Sequence, residues 1–97
     1  MTTTSDVQLS RSNGQSWGFR LSGGVDYTFP LIVVRVAIGG LAYTAGLQAG
    51  DVIVKLNGEP ISQLTHAQAH DKLVSAGNDF VLSVIRDHEI VRKQQQQ

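Results

Sequence analysis

Trp17, Gly18 and Phe19 set a glycine between two aromatics, directly after the polar loop Arg11–Ser16 and directly before an alternating stretch. A glycine in that place permits backbone conformations other residues avoid, so successive N–H groups can converge on one point. Converging N–H groups make an anion-binding nest. With apolar Phe19 and Leu21 as a wall beside it, such a nest suits a carboxylate that carries an apolar side chain. The last residue of a polypeptide is such an object. The triplet alone equally allows a plainer reading, in which Gly18 marks a bulge and the aromatics are core.

A second group with chemical capacity is His66 and His70, four residues apart, with Asp71 following. The i, i+4 spacing is that of a two-histidine metal site on a helix. Ala67 stands where the glutamate of that motif would follow His66, and no third ligand is evident, which argues against metal catalysis. Ser, His and Asp all occur, yet nothing resembles a nucleophile motif, and a chain without cysteine has no thiol chemistry. No catalytic residue, cofactor or metal is therefore expected. Taken alone, His66 reads as a solvated histidine at a helix start.

Composition narrows the partners. The 97 residues make one domain, and a chain this short buries only somewhat more than ~60% of its unfolded surface. Eight basic and eight acidic residues are scattered along it for a net charge of zero, without the basic stripe that nucleic acid requires. The longest apolar run, Leu31 to Val34, is far too short to span a bilayer. The Thr-rich N-terminus lacks the apolar core of a signal peptide, and the absence of cysteine fits a reducing compartment. A soluble, cytoplasmic chain is expected.

The elements that must position these residues follow from periodicity. Val7 and Leu9 alternate with polar neighbours over Asp6–Ser10, a half-buried strand. Phe19–Ser22 is a second strand closed by Gly23-Gly24, and Leu31–Ala37 a buried third after the loop Val25–Pro30. Leu41–Gly46 has room for a short helix with Gly46 at its end. Val52–Leu56 is a strand, Asn57-Gly58 a tight turn and Glu59–Ile61 a very short return. Thr65 with Gln68 three residues later spells a capping box for a helix to about Ala76. Its residues Ala69, Leu73 and Ala76 share one face. Phe80, Leu82 and Val84 alternate in a last strand. The expected fold is α+β and mostly β, a six-stranded antiparallel partly open barrel or sandwich capped by one short and one long helix. The expected boundaries are a flexible N-terminus over 1–5, a folded domain over 6–86, and a polar tail or linker over 87–97.

Three stretches carry a resemblance. SWGFRLSGG resembles the carboxylate loop and second strand of PDZ domains, AGLQAGDVIVKLNGEPI their middle hairpin region, and LTHAQAHDKLVSAG their long helix. They occur in that family's order and spacing, covering roughly Asp6 to Arg86. Trp17 before Gly18, the following FRLSGG and the loop GGVDYTFPL are most similar to the N-terminal PDZ domain of the Enigma and actinin-associated LIM protein (PDZ-LIM, Zasp-like) group. Ser16 departs from the proline common before that tryptophan, so the loop lacks that stiffening.

The resemblance implies a monomeric module that binds the C-terminal peptide of a partner by strand addition. Its ligands would be of class I, ending Ser/Thr-X-apolar. The backbone N–H groups of Trp17, Gly18 and Phe19 would hold the terminal carboxylate, with Arg11 supporting it through water. Phe19, Leu21 and Leu73, with Trp17 at the rim, would take the last side chain. His66 would read a Ser or Thr hydroxyl two residues before the end. His70 departs from the apolar residue many of these domains carry there; it could touch the same ligand hydroxyl or its neighbour and make binding depend on pH, or equally stand solvated. Arg20 and Ser22, alternating with Phe19 and Leu21, would meet the remaining ligand positions. Asp51, Lys55, Gly46, Gly50 and Gly58 belong to the structural half of the motifs. The group further implies a cytoskeletal adaptor at Z-discs or other actin-rich structures, with partners such as alpha-actinin. The rival use is a scaffold for internal segments, lipid or another PDZ domain.

Overall fold

A computed structural model describes residues 2–12 and 14–87. Eight elements follow in order: β1 (Thr2–Ser10), β2 (Phe19–Ser22), β3 (Ile32–Val36), α1 (Leu41–Ala45), β4 (Val52–Leu56), β5 (Glu59–Pro60), α2 (His66–Ser75) and β6 (Asp79–Asp87). The strands form one antiparallel sheet in the order β1-β6-β4-β3-β2, with β5 pairing β4 off that path. β1 and β2 are thus the two ends of the sheet, and among the described residues each has one strand edge without a neighbour.

The core collects the alternating residues. Val7 and Leu9 of β1, Val33 of β3, Ile53 and Leu56 of β4, and Phe80, Leu82 and Val84 of β6 are all buried. Leu31, Ala42, Leu47, Ile61 and Ala69 complete the same cluster. The Asn57-Gly58 turn is fastened to β6, because Asn57 accepts from the Val81 N–H at 2.9 Å and donates its own to the Val81 carbonyl at 2.8 Å. The capping box of α2 is formed, with Thr65 Oγ1 accepting from Gln68 N at 3.2 Å and Gln68 Oε1 accepting from Thr65 N at 3.0 Å. Asp51 is fully buried and takes Arg86 in a bidentate pair, Nε to Oδ1 at 2.7 Å and Nη2 to Oδ2 at 2.6 Å. The hydrogen bond that Arg86 donates to Asp51, ahead of the Asp51 charge, raises the Arg86 pKa above its ordinary value against the opposing effect of burial.

Two strands run past the limits read from the sequence. The first was expected over Asp6–Ser10, but β1 begins at Thr2 and pairs from Thr2 opposite Asp87 through Ser5 opposite Val84. Alternation reports side-chain burial, whereas a ladder needs only backbone groups, and threonine is a good strand former. For the same reason β6 runs to Asp87, one residue into the expected tail. The rest of that tail, 88–97, lies outside the described residues. β3 is a residue shorter at each end than Leu31–Ala37, although Leu31 remains buried and its carbonyl accepts from Ile53 N at 2.9 Å.

Candidate functional site

β2 pairs with β3 on one side only, and its other edge looks across a cavity of about 350 Å³ toward α2. The cavity is lined by Arg11, Trp17, Phe19, Arg20, Leu21, Leu31, His66, His70, Leu73 and Val74. Eight of the ten residues singled out in the sequence therefore come together around one groove. Gly18 instead borders a neighbouring hollow with Ser16, Phe19, Arg20, Arg35 and Ala37. Ser22 continues β2 opposite Ile32 and does not line the cavity. Arg20 borders both spaces, since its long side chain is not confined to the face its backbone register assigns.

The turn leading into β2 is built on Gly18, whose φ of 79° is left-handed and strained for any residue with a Cβ. The carbonyls on this turn face inward: Trp17 accepts from Ala42 N at 3.0 Å, and Gly18 from Ala37 N at 2.8 Å. Among the described residues neither the Trp17 nor the Gly18 N–H donates a hydrogen bond. The Trp17 ring meets Phe80 edge-on at 4.9 Å and carries the Arg11 guanidinium 4.6 Å above its centroid. Arg11 is further held by Asn78 Oδ1 at 3.0 Å and the Gln15 carbonyl at 2.9 Å. A positive charge is thus fixed on the rim beside the glycine turn.

His66, which also lines the groove, opens α2, and two bonds orient it. Its N–H donates to Asp26 Oδ1 at 2.9 Å, and its Nδ1 lies 2.8 Å from the Gly23 carbonyl. A carbonyl can only accept, so Nδ1 carries the proton and Nε2 of the neutral ring is left as an acceptor. The β2–β3 loop that supplies both partners is anchored by Val25 N donating to the Leu64 carbonyl at 3.0 Å. His70 is exposed one turn further on, and half-buried Leu73 completes the apolar wall.

Four contributors were missed in the sequence. Leu31 was read only as core, although it also floors the groove. Val74 is 67% exposed and continues the His66–His70 row by another four residues, a spacing that could have revealed it. Asp26 and Gly23 sit some forty residues from His66, and loop composition gives no sign of that pairing. His66 and His70 have no third ligand near them: among the described residues no group of three or more metal-binding side chains is placed to hold an ion. No helix of the described residues is long and apolar enough to cross a membrane.

A sheet edge left open among the described residues, beside a groove with apolar walls, offers a surface on which a peptide can lie. Comparison with known proteins agrees with that reading, for the PDZ domain family model matches residues 6–85, and the chain belongs to this family. It is 48% identical over 80 residues to the PDZ and LIM domain protein Zasp of Drosophila melanogaster, a match covering 82% of this chain and 4% of that protein. It is 41% identical over 70 residues to the human PDZ and LIM domain protein 3, covering 72% of this chain and 19% of that one. The PDZ-LIM group anticipated from the sequence is thus where these relatives lie. Among solved structures, a PDZ domain from choanoflagellate SHANK1 bound to a GIRK3 peptide superposes with a TM-score of 0.81 at 30% identity, covering 92% of this chain and 98% of that one. The domain is accordingly a peptide-binding interaction module and not an enzyme.

Proposed function

We propose that the domain binds the free C-terminus of a partner protein, laid antiparallel to Phe19–Ser22 as an extra strand between β2 and α2. The observation that carries this reading is the glycine turn before β2, where among the described residues the Trp17 and Gly18 amides donate no hydrogen bond while their carbonyls are engaged. The ligand carboxylate sits on these amides and that of Phe19, with Arg11 supporting it through water. The last side chain enters between Phe19, Leu21 and Leu73, with Trp17 at the rim. His66 accepts the hydroxyl of a Ser or Thr two residues before the end, the role its Nδ1 bond to Gly23 favours. Arg20, Ser22 and His70 meet the remaining ligand positions. Likeness to PDZ and LIM domain proteins supports a cytoplasmic, cytoskeleton-associated adaptor, at Z-discs or other actin-rich structures, acting as a monomer on partners such as alpha-actinin.

Calorimetry with a peptide copying the alpha-actinin C-terminus, free and amidated, tests the reading. The free peptide should bind at about micromolar strength, roughly −8 kcal/mol, because few of its side chains are buried. Amidation should abolish measurable binding. Equal affinity for the two forms would instead favour recognition of internal segments. Replacing the ligand hydroxyl by alanine should weaken binding by about 1 kcal/mol.

A further inference from the structure

The hollow that adjoins the peptide groove at the glycine turn measures about 240 Å³ and is bordered by Ser16, Gly18, Phe19, Arg20, Arg35 and Ala37. Arg20 and Arg35 stand directly opposite each other in the β2–β3 ladder, an arrangement of like charges that destabilises a strand pair. Elsewhere cations are engaged: Arg86 pairs with Asp51, Lys72 with Glu59, and Arg11 bonds Asn78 and the Gln15 carbonyl. Among the described residues neither Arg20 nor Arg35 makes a hydrogen bond or an ion pair, and no carboxylate borders the hollow. Ser16 shares this hollow, and its exposed hydroxyl is likewise without a partner there. Ser10, Thr65 and Ser83, by contrast, are committed to Asp79, Gln68 and Asp6. Ser16 also lies in the irregular segment between β1 and β2, a surface stretch that a modifying enzyme can reach.

Resting on the carboxylate reading above, we propose that Ser16 is a phosphorylation site, its phosphate held by Arg20 and Arg35, and that this modification turns peptide binding off. Transfer of the terminal phosphoryl group of a nucleoside triphosphate forms the Ser16 Oγ–P bond, breaks the bond to the diphosphate leaving group and releases the hydroxyl proton. The product carries about −1.5 to −2 charge at neutral pH and three strong acceptor oxygens. Two unpaired guanidiniums on one hollow match it, since each can give paired N–H groups to a phosphate. Docking there relieves the repulsion between Arg20 and Arg35. It also fixes an anion two residues from Gly18, whose unused N–H belongs to the proposed carboxylate site. The phosphate cancels the positive charge beside that turn and repels the carboxylate of the ligand, so the modified domain releases its partner.

The first test is peptide mass spectrometry on the protein recovered from cells held in phosphatase inhibitor. Ser16 should carry phosphate, and finding it unmodified overturns the assignment. Protein made with phosphoserine encoded at position 16 is then studied with and without Arg35→Gln, a change outside the peptide groove. In phosphorus NMR the second ionisation of the phosphate should fall from about 6 to about 5, and rise again in Arg35→Gln. Calorimetry uses a seven-residue peptide ending Ser-Ala-Leu, with a free or an amidated end. The free-ended peptide should bind about tenfold or more weakly to the phosphorylated protein than to the unmodified one. A phosphate that titrates near 6 with or without Arg35, or a free-ended affinity that phosphorylation leaves within about twofold, overturns the proposal. If the unmodified protein binds free and amidated peptides alike, or neither, the carboxylate reading falls and the switch with it. The phosphate titration then still decides whether Arg20 and Arg35 hold the modified Ser16.

Discussion

Asp51 and His66 are both polar residues set against apolar walls, and they differ in how much hydrogen-bonding capacity the fold leaves over. Asp51 is fully buried, and its carboxylate accepts from Arg86 twice and from Gln48 N at 2.9 Å. Arg86 adds the Gly46 carbonyl at 3.0 Å, so this end of the sheet is closed on itself. His66 has one ring nitrogen fixed on Gly23 and lines the groove with a second that the fold does not bind. The region around Asp51 therefore holds the fold together, while the region around His66 holds one acceptor in readiness. Full internal satisfaction stabilises; partial satisfaction, rigidly oriented, is what a ligand can use.

The strongest way to break this contrast is Asp51→Ala. It leaves the Arg86 guanidinium, whose side chain is only 14% exposed, with the Gly46 carbonyl but without its charged partner. Removing one member of such a pair costs about 3–5 kcal/mol. That is a large share of the roughly 5–15 kcal/mol by which native proteins are stable. Chemical denaturation should show a loss of this order. A loss under about 1 kcal/mol would mean that the Asp51 end does not have the structural role assigned to it.

Gly23→Ala should come next, and it should touch both regions' properties at once. Gly23 has φ of +87°, and an added Cβ would lie 2.0 Å from the Pro30 carbonyl oxygen. Backbone strain of this kind costs about 1–3 kcal/mol, and relief requires the loop to move. Because the Gly23 carbonyl orients His66, the variant should also lose its preference for a ligand hydroxyl over alanine. A destabilised protein that keeps that preference would separate loop geometry from ligand reading and sink the proposed coupling.

The contrast also explains what was legible in the sequence. Closed, local features were readable: the Thr65–Gln68 box, the Asn57-Gly58 turn and the alternation of Phe80, Leu82 and Val84 each depend on neighbours within a few residues. The groove's own wall was largely readable too, because Phe19, Leu21 and Leu73 share the periodicity of core. Long-range polar pairing was not. Nothing local in Asp26 announces a bond to His66 forty residues later, and nothing in Asp51 names Arg86. The paired stretch Thr2–Ser5 escaped for a different reason: its ladder rests on backbone groups, which carry no hydrophobic signature.

The smallest expected effect is at Asp26, and it gives the sharpest test of orientation against stability. Its carboxylate is exposed and accepts the first N–H of α2, a position where an anion also opposes the positive end of the helix dipole. Asp26→Ala should cost only about 0.3–1 kcal/mol of stability, less in high salt. If Asp26 served only the helix, ligand selectivity would stay as it was. If the bond also holds the β2–β3 loop so that the Gly23 carbonyl faces the His66 ring, the Ser-to-Ala peptide affinity ratio should fall by about half or more. Asp26→Asn retains the accepting oxygen without the charge, so it should lose the dipole contribution yet keep the ratio. Three calorimetric ratios and three melting curves thus separate the two roles. A ratio unchanged in Asp26→Ala would leave the orientation of His66 to Gly23 alone.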